Sequence, residues 1–279
     1  LIIALIVALV AAWGSMQITE SPAWQVIAGL LGFFLTTLII SRIFTHKLKQ
    51  LFNAVQQRIE GAQLEVNKYI TRVQTTGKGG GPKSVQRKVR RIMNAAYRES
   101  LETLDRAVSY YKWVLLAERN VATYRMQLHY QLEEYDKVDE YMDKALMLDP
   151  TAIAMRLARG YKNKEDDDEL DKVYRRGVRK FKGDKGILVY ATYAWILVKK
   201  NNLDRALEVL TEAVEKTDSP DIERNHQAIV NNRPKQFSNS FLGDQWYALN
   251  LEKQRLGRQK GKKGQIKNNP IYGNRGKRR

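Results

Sequence analysis

The sequence predicts an all-α protein, built from an N-terminal transmembrane hairpin, a long amphipathic helix and a body of repeated helix pairs. Three observations carry that prediction. The stretch Ala23 to Ile40 holds eighteen residues and no charge, and as an α-helix it would be about 27 Å long, close to the hydrocarbon thickness of a bilayer. From Phe44 to Val73 the apolar residues are spaced 4-3-4-4-3-4-4-3, an eleven-residue period that keeps one face of an almost straight helix apolar. Between about residues 119 and 218, five columns of residues recur at a mean spacing of 34, as repeated supersecondary units do.

Composition narrows the function classes. With 279 residues, 43% of them hydrophobic and 28% charged, the chain has room for one or two domains and a core. Its net charge of +18 is concentrated at two places. Residues 42–94 carry twelve Lys/Arg against Glu60 and Glu65, and residues 253–279 carry eleven with no acid. The body between them is nearly neutral. There is no cysteine, which excludes a disulfide framework, a thiolate nucleophile and a cysteine-ligated metal.

Residues 1–41 read as the membrane segment. The opening run Leu1 to Trp13 is too short to span by itself, and the lack of an initiating Met suggests residues upstream. A helical hairpin is favoured over a signal-peptide core, because Val10-Ala-Ala-Trp-Gly14 is a poor cleavage site. Trp24 suits one headgroup layer. Arg42, Lys47 and Lys49 follow the other edge, which places the remainder on the cytoplasmic side, as in a bacterial inner membrane.

Residues 42–76 form the neck helix, whose stripe has three readings: packing on the protein's own body, self-association through residues 44–73, or lying on the lipid surface. Residues 77–83 are a Gly-rich linker. It resembles a Walker A phosphate loop in Gly77 and Lys83-Ser84, but Pro82 stands at the second glycine and lacks the N–H such a loop directs at phosphate. From Ser84 to Asn120 there is no Pro or Gly, so a long helix or a tight helical pair is expected. Arg87, Lys88, Arg90 and Arg91 at its start join Arg42, Lys47 and Lys49 as candidate membrane-surface cations, worth roughly 1 kcal/mol each against anionic lipid.

The body, residues 84–255, contains the repeat. Met126, Ala158 and Ala194 align, as do His129, Tyr161 and Leu197; Val138, Leu170 and Ala206; Met142, Tyr174 and Leu210; and Ala145, Gly177 and Ala213. With Tyr135, Tyr190 and the unit end Leu148-Asp149-Pro150, this pattern resembles the tetratricopeptide repeat (TPR). Met126, His129, Lys182 and Asp218 depart from the family's pattern. The resemblance implies a TPR-like α-solenoid, a right-handed superhelix of antiparallel pairs. Its concave face would carry Gln127, Tyr130, Gln131, Met155, Arg159, Lys162, Leu188, Trp195 and Lys199. Gln127, Tyr130, Arg159, Lys162, Trp195 and Lys199 are the candidate partner-binding residues, with Tyr130, Arg159 and Trp195 as anchors, since aromatic and Arg side chains dominate hot spots. The layout, a hairpin followed by such repeats, is similar to that of HemY-type bacterial membrane proteins.

Asp221 to Asn231 reads as a further helix, broken at Arg233-Pro234-Lys235, and Asn239 to Arg255 as a last helix whose Phe241, Leu242, Trp246, Tyr247 and Leu249 cap the stack. Residues 256–279 form a basic tail, expected to be disordered when free. Its Arg258, Lys260, Lys262, Lys263, Arg275, Lys277, Arg278 and Arg279 suit a polyanion. His46, His129 and His226 have no neighbours at metal or triad spacing, and Glu165 to Glu169 lacks the alternating ligands of a calcium loop. The expectation is a protein without catalytic residues or cofactor: a membrane-anchored scaffold for protein partners in a membrane complex. Two alternatives stand beside it, a tether that binds nucleic acid or ribosomes through the tail and a structural subunit of a larger membrane assembly.

Overall fold

The computed structural model describes residues 2–16, 22–77 and 81–253. These residues are helical or in turns, with no strand among them. Helices are α1 (Ile2–Met16), α2 (Pro22–Thr76), α3 (Pro82–Asp105), α4 (Ala117–Gln131), α5 (Tyr135–Met142), α6 (Pro150–Lys162), α7 (Asp167–Lys180), α8 (Ile187–Lys199), α9 (Leu203–Lys216), α10 (Pro220–Val230) and the short α11 (Asp244–Tyr247). Backbone contacts divide them into two units, one of residues 2–77 and 87–121, the other of residues 81–86 and 122–253.

In the first unit, α2 runs unbroken from the uncharged stretch through the neck. Among the described residues it is the one helix long and apolar enough to cross a membrane, and none of that stretch is buried. The shorter α1 packs on it where small residues meet. A Cβ added to Gly29 would lie 3.4 Å from the Ala12 Cβ, and one added to Gly32 would lie 3.0 Å from the Ala11 Cβ, so glycine there lets the backbones approach. Along the neck, Leu48, Val55, Ala62 and Val66 are buried, and the other stripe residues half-buried. Antiparallel α3 covers part of that face through Ile92 and Ala96 beside Ala62, and through the Arg58–Glu99 ion pair.

One long helix from Ser84 to Asn120 does not form. It stops at Asp105, passes through a 3₁₀ turn at Arg106–Tyr110, and restarts at Ala117 after Leu116 takes a φ of +62°. Aromatic packing explains the break. Trp113 stacks on Phe44 of α2 with centroids 5.1 Å apart, and Tyr110 adds a tilted contact at 5.7 Å, so both rings of the turn pack on one residue of the neck.

In the second unit, helices pair antiparallel. Gly160 meets Leu170 and Gly177 meets Ile153, which sets α6 against α7; Tyr190 bonds Glu212 across α8 and α9. Thr123 of α4 both donates to the Leu146 carbonyl and accepts from its N–H, clamping α4 to the chain after α5. Of the fifteen aligned repeat positions, all are buried except Tyr161, which is half-buried. Contacts between successive pairs fall at separations of 33 or 34 residues: Asp171 with Arg205, Asp184 with the Asp218 N–H, Asp167 with Lys200, and Lys180 with the Met147 carbonyl.

Helices α4, α6, α8 and α10 end alike. Glu133, Lys164, Asn201 and Asn232 take positive φ, and the next residue's N–H reaches back five positions, to the carbonyls of His129, Gly160, Leu197 and Ala228. This is the Schellman end, which satisfies carbonyls the helix leaves open. Helix starts are capped by side chains: Asp149, Asn202 and Ser219 accept from the N–H three residues on, with Pro150 and Pro220 at the first helical position.

Candidate partner-binding groove

The expected last helix, Asn239 to Arg255, is replaced within the described residues by a 3₁₀ turn at Ser240–Leu242, the four-residue α11 and turns, with Gly243 at φ +54° and Asn250 at φ +52°. This segment lies against α4 and α8, the helices that supply much of the candidate face. The Tyr130 hydroxyl donates to the Leu249 carbonyl at 2.6 Å and Gln131 donates to the Ala248 carbonyl at 3.2 Å. Asn239 donates to the Ala191 carbonyl at 2.7 Å. The indole N–H groups of Trp195 and Trp246 both reach Glu252, at 2.8 and 2.9 Å, and the two rings meet edge to face at 5.7 Å.

The candidate residues therefore fall into two sets. Tyr130 and Trp195 are buried, the latter 5% exposed, and their polar atoms are used within the chain. They sit on one face as the repeat register implies, but that face holds the protein's own C-terminal segment. Gln127 is also buried and donates to Asp149 at 2.9 Å, joining two helix pairs. Arg159, Lys162 and Lys199 lie nearer solvent. Arg159 makes a two-point pair with Asp139, at 2.8 and 2.5 Å, over the Tyr135 ring. Lys162 is exposed and lies 5.0 Å from the same ring, and exposed Lys199 lies 5.1 Å from the Trp195 ring. Cations held over rings in this way gain about 0.5–1 kcal/mol. The half-buried Tyr161, edge-on to Trp195 at 5.5 Å, was not among the candidates; its place in a repeat column was the available signal.

The candidate membrane-surface cations are exposed, and they occupy two levels of the first unit. Arg42, Lys47 and Lys49 follow the uncharged run directly. Lys88 and Arg91 border a cavity with Arg58, Ala62 and Glu65 of α2, at least eighteen residues past Ile40, which is about 27 Å along the helix at 1.5 Å per residue. Arg87 and Arg90 flank them. The polyanion candidates Arg258, Lys260, Lys262, Lys263, Arg275, Lys277, Arg278 and Arg279 lie outside the described residues.

No catalytic constellation assembles among the described residues. His129 is buried, hydrogen-bonds Glu134 at 2.8 Å and stacks on Tyr141. Burial pushes its pKa down from 6.5, against the upward pull of Glu134. His226 meets Thr211 and His46 meets Gln50. In the acidic turn, Glu165 pairs with Arg156, Asp167 with Lys200 and Glu169 with Lys172; no group of three metal-ligating side chains occurs among the described residues. Comparison with protein-family models, curated proteins and solved structures gives no match to this chain.

Proposed function

We propose that this protein is a non-enzymatic, membrane-anchored scaffold. In this reading α1 and the first part of α2 form a hairpin in the bilayer, and the TPR-like stack of helix pairs stands on the cytoplasmic side, in a bacterial inner membrane, where it holds protein partners of a membrane complex. One observation carries the reading: an exposed, uncharged run of lipid-spanning length is continuous, within a single helix, with a neck that leads to paired helices. An uncovered apolar surface of that extent is unfavourable in water and is expected in lipid. Arg42, Lys47 and Lys49 at its exit support the orientation.

The partner site in this reading is the cationic rim of exposed Lys162 and Lys199, with the half-buried Arg159 that Asp139 pairs, beside the groove that the C-terminal segment fills. A partner bearing carboxylates suits it. Self-association through residues 44–73 would require the buried stripe to leave its own unit, so it is the weaker option for assembly. The test has two arms. Carbonate extraction of native membranes should leave the protein in the pellet; release into the supernatant refutes the anchor. Crosslinking in those membranes should yield adducts that Lys162→Glu with Lys199→Glu removes, while Lys172→Glu, at a lysine outside the rim, does not; equal loss refutes the rim.

A second reading rests on eleven Lys/Arg with no acid in residues 253–279: a tether for nucleic acid or ribosomes. Phosphate binding releases counterions, so it would weaken steeply with salt and vanish on truncation after Leu256.

A further inference from the structure

We infer that residues 106–116 form a second membrane contact, a loop that sits in the headgroup layer on the side where α2 leaves the bilayer. This rests on the reading of α2 as a span. Outside residues 5–43, the large apolar side chains exposed among the described residues number seven, and four of them, Val108, Trp113, Leu115 and Leu116, belong to this one loop. Leu115 is 87% exposed, more than any other. A loop that merely crossed a water-facing surface would not gather them.

The height of the loop is fixed by a contact inside its own unit. Trp113 stacks on Phe44, and Phe44 is four residues past the end of the uncharged run, about 6 Å along the axis. The headgroup region is about 5–8 Å deep on each side of the hydrocarbon. Trp113 and Tyr110 therefore lie at the level where amphipathic rings are favoured, and the leucines beside them extend the apolar band of α2. Charge agrees: residues 106–116 include Arg106 and Lys112 and no acid, and Lys47 lies 5.7 Å from the Phe44 ring. The backbone is suited to a poorly hydrated layer, since the N–H groups of Tyr111, Trp113 and Val114 are bonded to carbonyls within the loop. The occupant is thus an anionic lipid surface.

The chain has no cysteine, so single reporters can be placed in the full protein. Leu115→Cys, Leu30→Cys in the span and Asn67→Cys on the exposed face of the neck would each carry a polarity-sensitive fluorophore in vesicles of phosphatidylcholine and phosphatidylglycerol. The Leu115 reporter should be quenched by lipids bearing a nitroxide near the headgroup, several-fold more than the Asn67 reporter, and the Leu30 reporter by lipids bearing it deep in the chain. If Leu30 responds to lipid while Leu115 responds only to aqueous iodide, the loop inference fails and the span stands. A Leu115 reporter shielded from both quenchers means a protein covers the loop, which also overturns it. If all three respond only to iodide, the span reading fails and the loop contact with it. Leu115 is so exposed that its replacement leaves the fold intact.

Discussion

Replacing Trp246 by Ala tests whether the C-terminal segment is held in the groove or merely rests on it. Trp246 is fully buried; a ring of this size hides roughly 150–250 Å², worth about 4–6 kcal/mol at 25 cal/mol/Å². The edge-to-face contact with Trp195 adds about 1 kcal/mol, and Ala retains part of the area, so the expected loss is about 3–5 kcal/mol. The segment is tied elsewhere by Tyr130 to Leu249, Gln131 to Ala248 and Asn239 to Ala191. A loss of that size exceeds what a few such bonds contribute, at about 1 kcal/mol each, so the segment should undock before the helix pairs melt. The assay is hydrogen exchange at the Trp195 indole N–H, which donates to Glu252 in the docked state, read by NMR and assigned with Trp195→Phe. Trp246→Ala should accelerate that exchange by roughly two to three and a half factors of ten, at about 1.4 kcal/mol per factor of ten, while Trp246→Phe accelerates it much less. Unchanged exchange in the Ala variant, with an unchanged urea midpoint, would refute the docked segment.

Other sites give signs that are easy to read. Gly177 lies in a helix interior, where Ala normally adds about 1 kcal/mol, but its Cβ would be 2.8 Å from Ile153 and 3.0 Å from Val189; Gly177→Ala should instead lower the urea midpoint, by about 1 kcal/mol in stability. Lys164 holds φ at +57°, so Lys164→Gly should raise stability by about 1 kcal/mol without disturbing the Schellman bonds. The Ser100 hydroxyl is buried with no hydrogen-bond partner, and Ser100→Ala should stabilise the first unit by about 1 kcal/mol in thermal melts. His129 has a lowered pKa in the fold, so the unfolded chain takes up the proton first as pH falls through about 6.5. Its contribution is complete above that value and is lost from there down toward the folded pKa; His129→Phe should flatten the stability profile over that window in urea titrations.

Much of the architecture was legible in the chain because it depends on short-range patterns. The uncharged run of α2, the continuity of that helix to Thr76 and the helix at residues 220–230 follow from hydropathy and from the places of Pro and Gly. The aligned repeat columns are buried because a 34-residue spacing puts equivalent side chains at the same place in successive helix pairs. Helix ends were less visible. Asn201-Asn202 and Asn231-Asn232 suit left-handed turns, but Glu133 and Lys164 adopt the same conformation with no local preference for it, since the packing of each pair imposes the turn.

What tertiary structure alone decided are the choices between equally good local patterns. Residues 239–255 have enough apolar residues for a helix, yet Trp246 and Leu249 gain more by entering the groove of α4 and α8, where Tyr130 and Trp195 meet them; two anchors assigned to a partner are thereby used at home. The stripe of the neck admitted three occupants, and burial within its own unit is a matter of distant contacts such as Arg58 with Glu99. Residues 106–116 read as helix until Phe44, more than sixty positions earlier, offers Trp113 a ring to stack on. In each case the deciding free energy is the burial of large side chains against residues remote in sequence, and no local periodicity carries that term.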